Sequence, residues 1–311
     1  MTLRPASSSA GRFAPSPTGP LHLGSLVAAV GSWLFARVRD GSWLVRMEDL
    51  DTARVVPGAA DEILRTLERF GLTWDGEVIY QSTRLEHYKS AFEDLLGRKE
   101  IYACACSRGD IARAASAPAP GDEGDAPSGG AVYPGTCRAG LPPGRTARAY
   151  RFRVLPGLFT FRDLVFGSFS EDVEKSVGDF VVQRADGPTA YQLAVVVDDA
   201  EQGVTEVVRG ADLLSSTARQ IALQRALGVP TPSYAHLPLV LGRDGAKLGK
   251  RDGALPLARE EGGRVRQALA LALRILGQAP ADGSPGEMLT EALRRFDPRA
   301  IPREPWRFSG F

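Results

Sequence analysis

Residues 12–25 read Arg-Phe-Ala-Pro-Ser-Pro-Thr-Gly-Pro-Leu-His-Leu-Gly-Ser and run directly into an amphipathic stretch that ends at Val38. This order predicts a short strand, a turn rich in proline and glycine, and a helix whose first turn carries His22, Gly24 and Ser25. The free N–H groups and the positive dipole end of such a helix suit an anion, for example a phosphate chain. An ordinary strand-to-helix turn without a ligand is the alternative interpretation of this stretch alone.

A second short apolar run, residues 43–47, follows the predicted helix, so strand, helix and strand succeed one another as in a parallel crossover unit. Glu48 comes directly after it, at the edge where open α/β sheets bind ligands, although a solvated acidic loop is the alternative. Residues 191–197, 204–210 and 236–241 are apolar enough to be further strands of the buried sheet. These runs predict an α/β fold with a Rossmann-like core.

The composition limits the class of protein. With 311 residues and 43% hydrophobic content, the chain has room for one large domain plus smaller appendages. No apolar run approaches the roughly 20 residues of a membrane-spanning helix, and residues 1–10 lack a hydrophobic segment, so we predict a cytoplasmic protein without a membrane partner. A formal net charge of +1 excludes a generally basic nucleic-acid coat but leaves room for a local positive groove. Nothing indicates an oligomer, and a monomer is our default expectation.

Three cysteines flank a segment rich in proline, glycine and alanine, residues 116–130, which we predict to be a mobile loop. Cys104 and Cys106 precede this segment and Cys137 follows it. Two closely spaced thiolates and a third across a loop can share a tetrahedral Zn²⁺ ion. Tyr133 or a water molecule is a candidate fourth ligand. Isolated buried thiols are the alternative.

Residues 242–251 read Gly-Arg-Asp-Gly-Ala-Lys-Leu-Gly-Lys-Arg and follow the last predicted strand. Lys247 and Lys250 stand three residues apart in this glycine-rich loop. Such a pair can act as a cationic clamp for charge that develops on phosphate oxygens. A solvated basic loop is the commoner alternative for any single run of this kind.

Together these motifs resemble, over about residues 11–257, the glutamyl branch of the class I aminoacyl-tRNA synthetases. The matching stretches, in family order, are residues 12–19, 22–25 (the HIGH signature), 46–49, 191–199, 208–212 and 247–251 (the KMSKS loop). The resemblance implies a HIGH-type nucleotidyltransferase core in two halves, with an insertion between them and an extension after them. The expected divisions are a flexible N-terminus 1–10, a first half 11–100, an insertion 101–180 with the zinc site, a second half 181–257, and a short helical extension 258–311.

The extension points to one subgroup. Glutamyl-tRNA synthetases continue after the lysine loop into helical domains that read the anticodon, whereas the 54 residues from 258 to 311 offer two helices, near 264–276 and from Ser284 onward. This length, with a tyrosine and three cysteines in the insertion, resembles the glutamyl-queuosine tRNA(Asp) synthetases. In that family the acceptor is the queuosine base in the tRNA(Asp) anticodon, and one structural zinc ion is held by Cys104, Cys106, Tyr133 and Cys137.

The resemblance implies that ATP, with Mg²⁺, and glutamate form glutamyl-adenylate without tRNA. The residues implied in catalysis are His22, Gly24, Lys247 and Lys250, of which His22, Gly24 and Lys250 bind ATP. The residues implied in glutamate binding are Arg12, Ala14, Ser16, Glu48, Tyr191 and Arg209. The charges agree, because a dicarboxylate with one ammonium group suits two guanidiniums and one carboxylate. Gly249 stands where the family usually has serine, so we expect activation to survive with weaker ATP binding.

Three other interpretations compete with this one. A truncated glutamyl-tRNA synthetase would charge the 3′ end of its tRNA, and a non-catalytic paralogue would bind tRNA or an amino acid as a sensor. A different HIGH-type nucleotidyltransferase is disfavoured because Glu48, Tyr191 and Arg209 together describe an amino-acid pocket. The sensor is disfavoured because both phosphate-handling loops keep their charged residues.

Overall fold

The computed structural model describes residues 9–115, 132–242, 244–245, 257 and 262–308. The expected mobile loop 116–130 lies outside the described residues. So do Lys247, Gly249 and Lys250, for which the predicted phosphate clamp stays a prediction.

The described strands fall into one large sheet and two small ones. They are β1 (Ala10–Phe13), β2 (Ser42–Met47), β3 (Ile79–Tyr80), β4 (Ile101–Cys104), β5 (Ala149–Phe152), β6 (Leu158–Asp163), β7 (Gly167–Asp172), β8 (Phe180–Gln183), β9 (Glu206–Gly210), β10 (Ser233–Leu237), β11 (Val240–Leu241) and β12 (Trp306–Arg307).

Helices connect and cover these strands. They are α1 (Leu23–Arg37), α2 (Ala59–Arg69), α3 (Leu85–Gly97), α4 (Arg108–Ala115), α5 (Val173–Ser176), α6 (Tyr191–Glu201), α7 (Thr217–Leu227), α8 (Gly263–Ile275) and α9 (Pro285–Arg294). None of them is both long enough and apolar enough to cross a membrane.

The seven-stranded sheet has the order β3-β2-β1-β9-β10-β6-β7. Its neighbours pair in parallel from β3 to β6, and β7 joins the edge as the antiparallel partner of β6. The chain leaves β1 toward β2 and β3 on one side and returns with β9 and β10 on the other. The order therefore reverses between β1 and β9, which is where doubly wound sheets bind ligands. The α/β core expected from the sequence is confirmed.

Helix α1 lies against this switch point, and its apolar residues are buried on the sheet and on α8. Gly31 allows the close approach, because a Cβ atom there would lie only 2.5 Å from Cδ1 of Leu237 on β10. The approach holds the N-terminus of α1 beside the carboxyl ends of the central strands. The helix begins at Leu23 with His22 as its N-cap, near the first turn that the sequence predicted.

One element prediction was wrong. Residues 191–197 were expected to form a strand, but they begin helix α6, Tyr191–Glu201. Residues 193–199 are all buried, since α6 packs between α3, α7 and β8. An unbroken apolar run carries no periodicity that separates a buried strand from a buried helix, so the sequence pattern could not decide between them.

The end of the chain matches its prediction in part. The expected strand 236–241 is interrupted at Pro238, which has no N–H to donate to a ladder, and its second piece pairs with β12. Both expected C-terminal helices are present as α8 and α9. Ser284 and Glu287 form the capping box that starts α9. A three-stranded antiparallel sheet, in the order β4-β5-β8, forms beside the cysteines.

Candidate active site

A cavity of about 580 Å³ opens at the carboxyl ends of β1, β2, β9 and β10. The structure brings together around it every predicted glutamate or ATP residue that it describes: Arg12, Ala14, Ser16, His22, Gly24, Glu48, Tyr191 and Arg209. These residues span almost 200 positions of sequence. Their convergence follows from the parallel sheet, whose carboxyl strand ends meet at one edge.

The start of α1 forms one wall of the cavity. His22 is the N-cap of the helix, and its imidazole Nδ1 accepts a hydrogen bond from the backbone N–H of Ser25, at 3.2 Å. Gly24 leaves room for this ring, because a Cβ atom there would lie 3.2 Å from two ring atoms of His22. The helix dipole adds partial positive charge at the same place. This wall is suited to phosphate.

A buried ion-pair network forms the floor. Arg12 Nε lies 3.1 Å from Asp199 Oδ1, and Arg46 Nη1 lies 2.8 Å from the same oxygen. Arg46 Nη2 also reaches Glu48 Oε1, at 3.4 Å. Burial opposes ionisation of Asp199, but the two guanidiniums outweigh it and lower its pKa.

The network extends behind the cavity through Asp198, which is fully buried. Its carboxylate accepts hydrogen bonds from Arg84 Nε at 2.7 Å, Gln81 Nε2 at 2.7 Å and the Tyr88 hydroxyl at 2.9 Å. Three guanidiniums, of Arg12, Arg46 and Arg84, thus face the three carboxylates of Glu48, Asp198 and Asp199. Arg84 also pairs with the partly exposed Glu201, so each guanidinium of the floor has a carboxylate partner before any ligand binds.

Glu48 and Tyr191 belong to the cavity wall and feel this environment. Burial raises the pKa of Glu48, although Arg46 and Arg12 act against the shift. Burial likewise raises the pKa of the Tyr191 phenol, which therefore keeps its proton at neutral pH. Glu48 presents a carboxylate to the cavity and Tyr191 a hydroxyl donor.

Arg209 differs from Arg12 and Arg46, because its hydrogen-bond partners among the described residues are all neutral. Its Nε donates to His236 Nε2 at 3.1 Å, and Nη1 donates to Gln220 Oε1 at 2.8 Å. Its Nη2 donates to Thr217 Oγ1 at 2.9 Å and to the carbonyl oxygen of Leu213 at 3.2 Å. A guanidinium has five donor hydrogens, so one on Nη1 is left for a ligand.

No ion pair among the described residues involves Arg209. Arg209 exposes only 5% of its surface. A buried cation without an anion is costly, and the cost falls when a negatively charged ligand enters. Because no carboxylate bonds directly to Arg209, its positive charge is open to an anionic group in the cavity.

Sequence reasoning missed the residues that hold the arginines in place. Asp199 lies in the matched stretch 191–199 but received no role there, and Asp163 and His236 were not connected with Arg209. Asp163 Oδ2 lies 2.6 Å from His236 Nδ1 although 73 residues separate the two. No local spacing signals such a pair. The register of β6 against β10, in which Asp163 pairs with Tyr234, is what brings them together.

The three cysteines form a second cluster, at the end of β4. Their sulfur atoms all lie within 4.8 Å of one another, and Cys106 Sγ is 3.7 Å from Cys137 Sγ. The Tyr133 oxygen is 3.4 Å from Cys104 Sγ and 3.9 Å from Cys106 Sγ. The thiols expected to be ligands are thus close together, and the cluster could hold a metal ion.

Donors surround the cluster. Arg151 Nε donates to Cys104 Sγ at 3.3 Å, and the backbone N–H of Ala105 donates to Cys137 Sγ at 3.4 Å. The Arg151 guanidinium also lies over the Tyr133 ring, 3.9 Å from its centroid. A positive charge and N–H donors directed at sulfur stabilise thiolates, which is the form that binds a metal.

Comparison with known proteins agrees with this architecture. The family model described as tRNA synthetases class I (E and Q), catalytic domain, matches residues 10–308. A Glutamyl-Q tRNA(Asp) synthetase from Geobacter sulfurreducens is 57% identical over 301 residues, which cover 94% of this chain and 93% of that protein. One from Dechloromonas aromatica is 54% identical over 298 residues, covering 94% and 96%.

Solved structures agree as well. The crystal structure of glutamate-tRNA synthetase from Elizabethkingia anophelis superposes with a TM-score of 0.77 at 29% identity, over 97% of this chain and 68% of that one. The chain therefore belongs to the class I tRNA synthetases of the glutamate and glutamine group, a family of ATP-dependent ligases, and within it to the Glutamyl-Q tRNA(Asp) synthetases.

Proposed function

We propose that this protein activates glutamate with ATP to glutamyl-adenylate, without tRNA, and transfers the glutamate to the queuosine base in the anticodon of tRNA(Asp). The printed names of relatives that are more than half identical over almost the whole chain support the acceptor. The observation that carries the first step is that one cavity is lined both by Arg209, to which no carboxylate is bonded, and by the carboxylate of Glu48. That charge pattern is complementary to an amino acid with a second carboxylate.

Glutamate then binds with its three charged groups divided among three side chains. Glu48 faces the α-ammonium group, and Arg209 takes the side-chain carboxylate through its remaining Nη1 donor and its charge. Arg12 faces the α-carboxylate; its resident partner Asp199 makes it the weaker of the two cationic sites. Tyr191, Ser16 and the backbone at Ala14 complete the enclosure.

ATP lies along the start of α1, with His22 and Gly24 beside its phosphates and Mg²⁺ bound to them. Lys247 and Lys250, on the family's lysine loop, stabilise the charge on the displaced pyrophosphate. Little covalent chemistry falls to the protein, so positioning and electrostatic stabilisation supply the rate enhancement. The α-carboxylate oxygen attacks the α-phosphorus, and pyrophosphate leaves.

We further propose that the cysteine cluster holds one structural zinc ion through Cys104, Cys106, Cys137 and Tyr133. With zinc–sulfur bonds of about 2.3 Å, a tetrahedral site has sulfur–sulfur edges of about 3.8 Å. The 3.7 Å between Cys106 Sγ and Cys137 Sγ fits that edge. The ion would cross-link the insertion, whose thiols come from both sides of residues 116–131.

The remaining partners follow from the family. The chain binds glutamate, ATP and tRNA, and we propose queuosine-bearing tRNA(Asp) as the acceptor, a monomeric state and a cytoplasmic location. Arginine-rich segments such as residues 145–153 and 294–303 are candidates for the tRNA-binding face.

One experiment tests the acceptor. The protein is incubated with labelled glutamate, ATP and one of three tRNAs: native tRNA(Asp), tRNA(Asp) that lacks queuosine, or tRNA(Glu). We expect label only on the native tRNA, and we expect periodate to abolish it, because periodate cleaves the cyclopentene diol of queuosine. Label on queuosine-free tRNA(Glu), at its 3′ end, would instead identify a truncated glutamyl-tRNA synthetase. Absence of ATP–pyrophosphate exchange with glutamate would favour a non-catalytic sensor.

A further inference from the structure

A buried chain of hydrogen bonds lies directly behind Arg209. Asp163 Oδ2 is 2.6 Å from His236 Nδ1, and His236 Nε2 is 3.1 Å from Arg209 Nε. Asp163 and His236 are both almost completely excluded from solvent. Neither lines the cavity, so neither can touch a substrate there. Asp163 and His236 therefore have no direct part in the binding or catalysis described so far.

The contacts of Asp163 fix which ring nitrogen carries the proton. The carboxylate can only accept, and it is anchored at the end of β6 by the backbone N–H groups of Val165, Phe166 and His236. The proton shared with the imidazole must then sit on Nδ1. This leaves the lone pair of Nε2 to accept from Arg209. Burial lowers the pKa of His236, although Asp163 acts against the shift, so the ring is neutral at physiological pH.

The arrangement separates orientation from charge compensation. A carboxylate bonded directly to Arg209 would fix the guanidinium but would also neutralise it, as Asp199 does for Arg12. Here the imidazole lies between Asp163 and Arg209, and the other partners of the guanidinium are an amide, a hydroxyl and a carbonyl oxygen. Arg209 is thus immobilised while its charge remains available to a ligand.

We propose that His236, held in one tautomer by Asp163, is a positioning residue that keeps Arg209 oriented as a cation with no carboxylate bonded to it, and that the pair thereby determines selection of a carboxylate over a carboxamide side chain. The inference rests on the proposed binding of glutamate by Arg209 and deepens it. It predicts that substitution of His236 or Asp163 weakens glutamate binding and leaves ATP binding unchanged.

The test compares His236→Leu, which removes the acceptor, with His236→Gln, whose Oε1 can still accept from Arg209. In ATP–pyrophosphate exchange, we expect His236→Leu to raise the glutamate KM by about tenfold or more, as for loss of a hydrogen bond to a charged group. We expect His236→Gln to stay within about threefold of the unaltered protein, and both variants to keep its ATP KM. The ratio of kcat/KM for glutamate over glutamine should fall in the leucine variant and recover in the glutamine variant.

Asp163→Asn tests the second link with almost no change of shape. An amide can donate to Nδ1 and so place the histidine proton on Nε2, where it opposes the Arg209 donor; the glutamate KM should rise as in His236→Leu. In a His236→Gln background, Asp163→Asn should add little, because there is no tautomer left to fix. Tyr234→Phe, a neighbour that stacks on His236, is the packing control and should leave the glutamate KM unchanged.

The outcomes distinguish failure of the positioning role of His236 from failure of the proposed glutamate activation. If the unaltered protein shows no glutamate-dependent exchange, the proposed function fails. If it exchanges normally while His236→Leu and Asp163→Asn keep glutamate KM and glutamine rejection intact, the function stands and the positioning role is overturned. Equal losses in His236→Leu and His236→Gln, with lowered melting temperatures in both, would also overturn it, because they would indicate a purely structural role.

Discussion

Arg12 Nε and Asp199 Oδ1 form a buried ion pair at 3.1 Å beneath the cavity, and Arg46 Nη1 shares the same oxygen at 2.8 Å. Two guanidiniums thus share one carboxylate, which is the only ion-pair partner of Arg12 among the described residues, whereas Arg46 also contacts Glu48. Removing a partner from a buried ionic group leaves an uncompensated charge, which costs far more than losing an exposed pair. The relationship makes Asp199 a stability determinant although it is not among the cavity-lining residues.

Asp199→Asn should lower the free energy of unfolding by about 3–5 kcal/mol, because Arg12 and Arg46 lose their shared anion while remaining buried. Chemical denaturation followed by circular dichroism measures this change. Asp186→Asn, which breaks the exposed pair with Arg184, is the matched control and should cost less than about 1 kcal/mol. Similar losses in both variants would contradict the buried-network interpretation.

The same pair predicts a pH dependence of stability. The folded-state pKa of Asp199 is depressed, so the unfolded chain binds the proton more readily than the folded one. The stability from this group is therefore complete above the ordinary aspartate pKa and is lost as pH falls through the depressed value. Denaturation between neutral pH and acid should show a loss that is smaller in Asp199→Asn than in the unaltered protein.

Arg209→Gln should weaken glutamate binding by about 2–5 kcal/mol, since it removes the charge that meets the side-chain carboxylate. Glutamate-dependent ATP–pyrophosphate exchange measures the effect, and the ATP KM should change little. Arg225→Gln, at an exposed position on α7, serves as the control and should leave exchange unaltered. Exchange that survives Arg209→Gln at the same glutamate concentrations would disprove the pocket assignment.

Glu48 predicts a pH dependence of glutamate binding. Burial raises its pKa, so the carboxylate gains a proton at a higher pH than an exposed glutamate does. As pH falls through that raised value, Glu48 loses the charge that faces the α-ammonium group, and the glutamate KM should rise. Glu48→Gln should have a high KM that no longer changes over this range. An unchanged pH profile in the variant would assign the titration to another group.

If the cysteine cluster binds zinc, the zinc content of the protein can be measured directly. Elemental analysis of metal-replete protein should find close to one equivalent, and Cys137→Ser should lose it. Burial raises the pKa of the Cys106 thiol to about 11 in the absence of a cation, so zinc must displace a proton and should bind more tightly as pH rises. Less than a few tenths of an equivalent in the unaltered protein would count against the site.

Tyr133→Phe separates a phenolate ligand from a packing residue, because it keeps the ring beneath Arg151 and removes the oxygen. If that oxygen is the fourth ligand, zinc affinity measured by chelator competition should fall clearly below that of the unaltered protein. Tyr150→Phe, on β5 with its ring edge-on to Phe92, is the control and should retain zinc. Equal affinity in Tyr133→Phe would assign the fourth position to water.

Gly249→Ser restores the residue that the family usually has in the lysine loop. The serine hydroxyl and the lower backbone freedom should strengthen ATP binding, which would appear as a lower ATP KM in pyrophosphate exchange. Gly249→Ala reduces the backbone freedom without supplying the hydroxyl and so separates the two effects. An unchanged ATP KM in both variants would show that the departure at Gly249 has no consequence for ATP.

The sequence by itself determined the parts that depend on local order. The turn at residues 12–25 and the apolar runs around Glu48 and Arg209 were enough to predict a parallel α/β core with a ligand at its carboxyl edge. The capping box at Ser284 likewise predicted the start of α9, because capping is decided by residues three positions apart.

Tertiary structure alone decided what these groups do to one another. The run that begins at Tyr191 is a helix. The sequence could not indicate this, because a segment buried on all sides lacks the periodicity by which strands and helices are told apart. Arg12 and Arg209 look equivalent in the sequence, yet one is neutralised by Asp199 and the other is held by His236 without losing its charge. Those partners come from distant strands and helices, and a charge in a buried site is set by what packs against it.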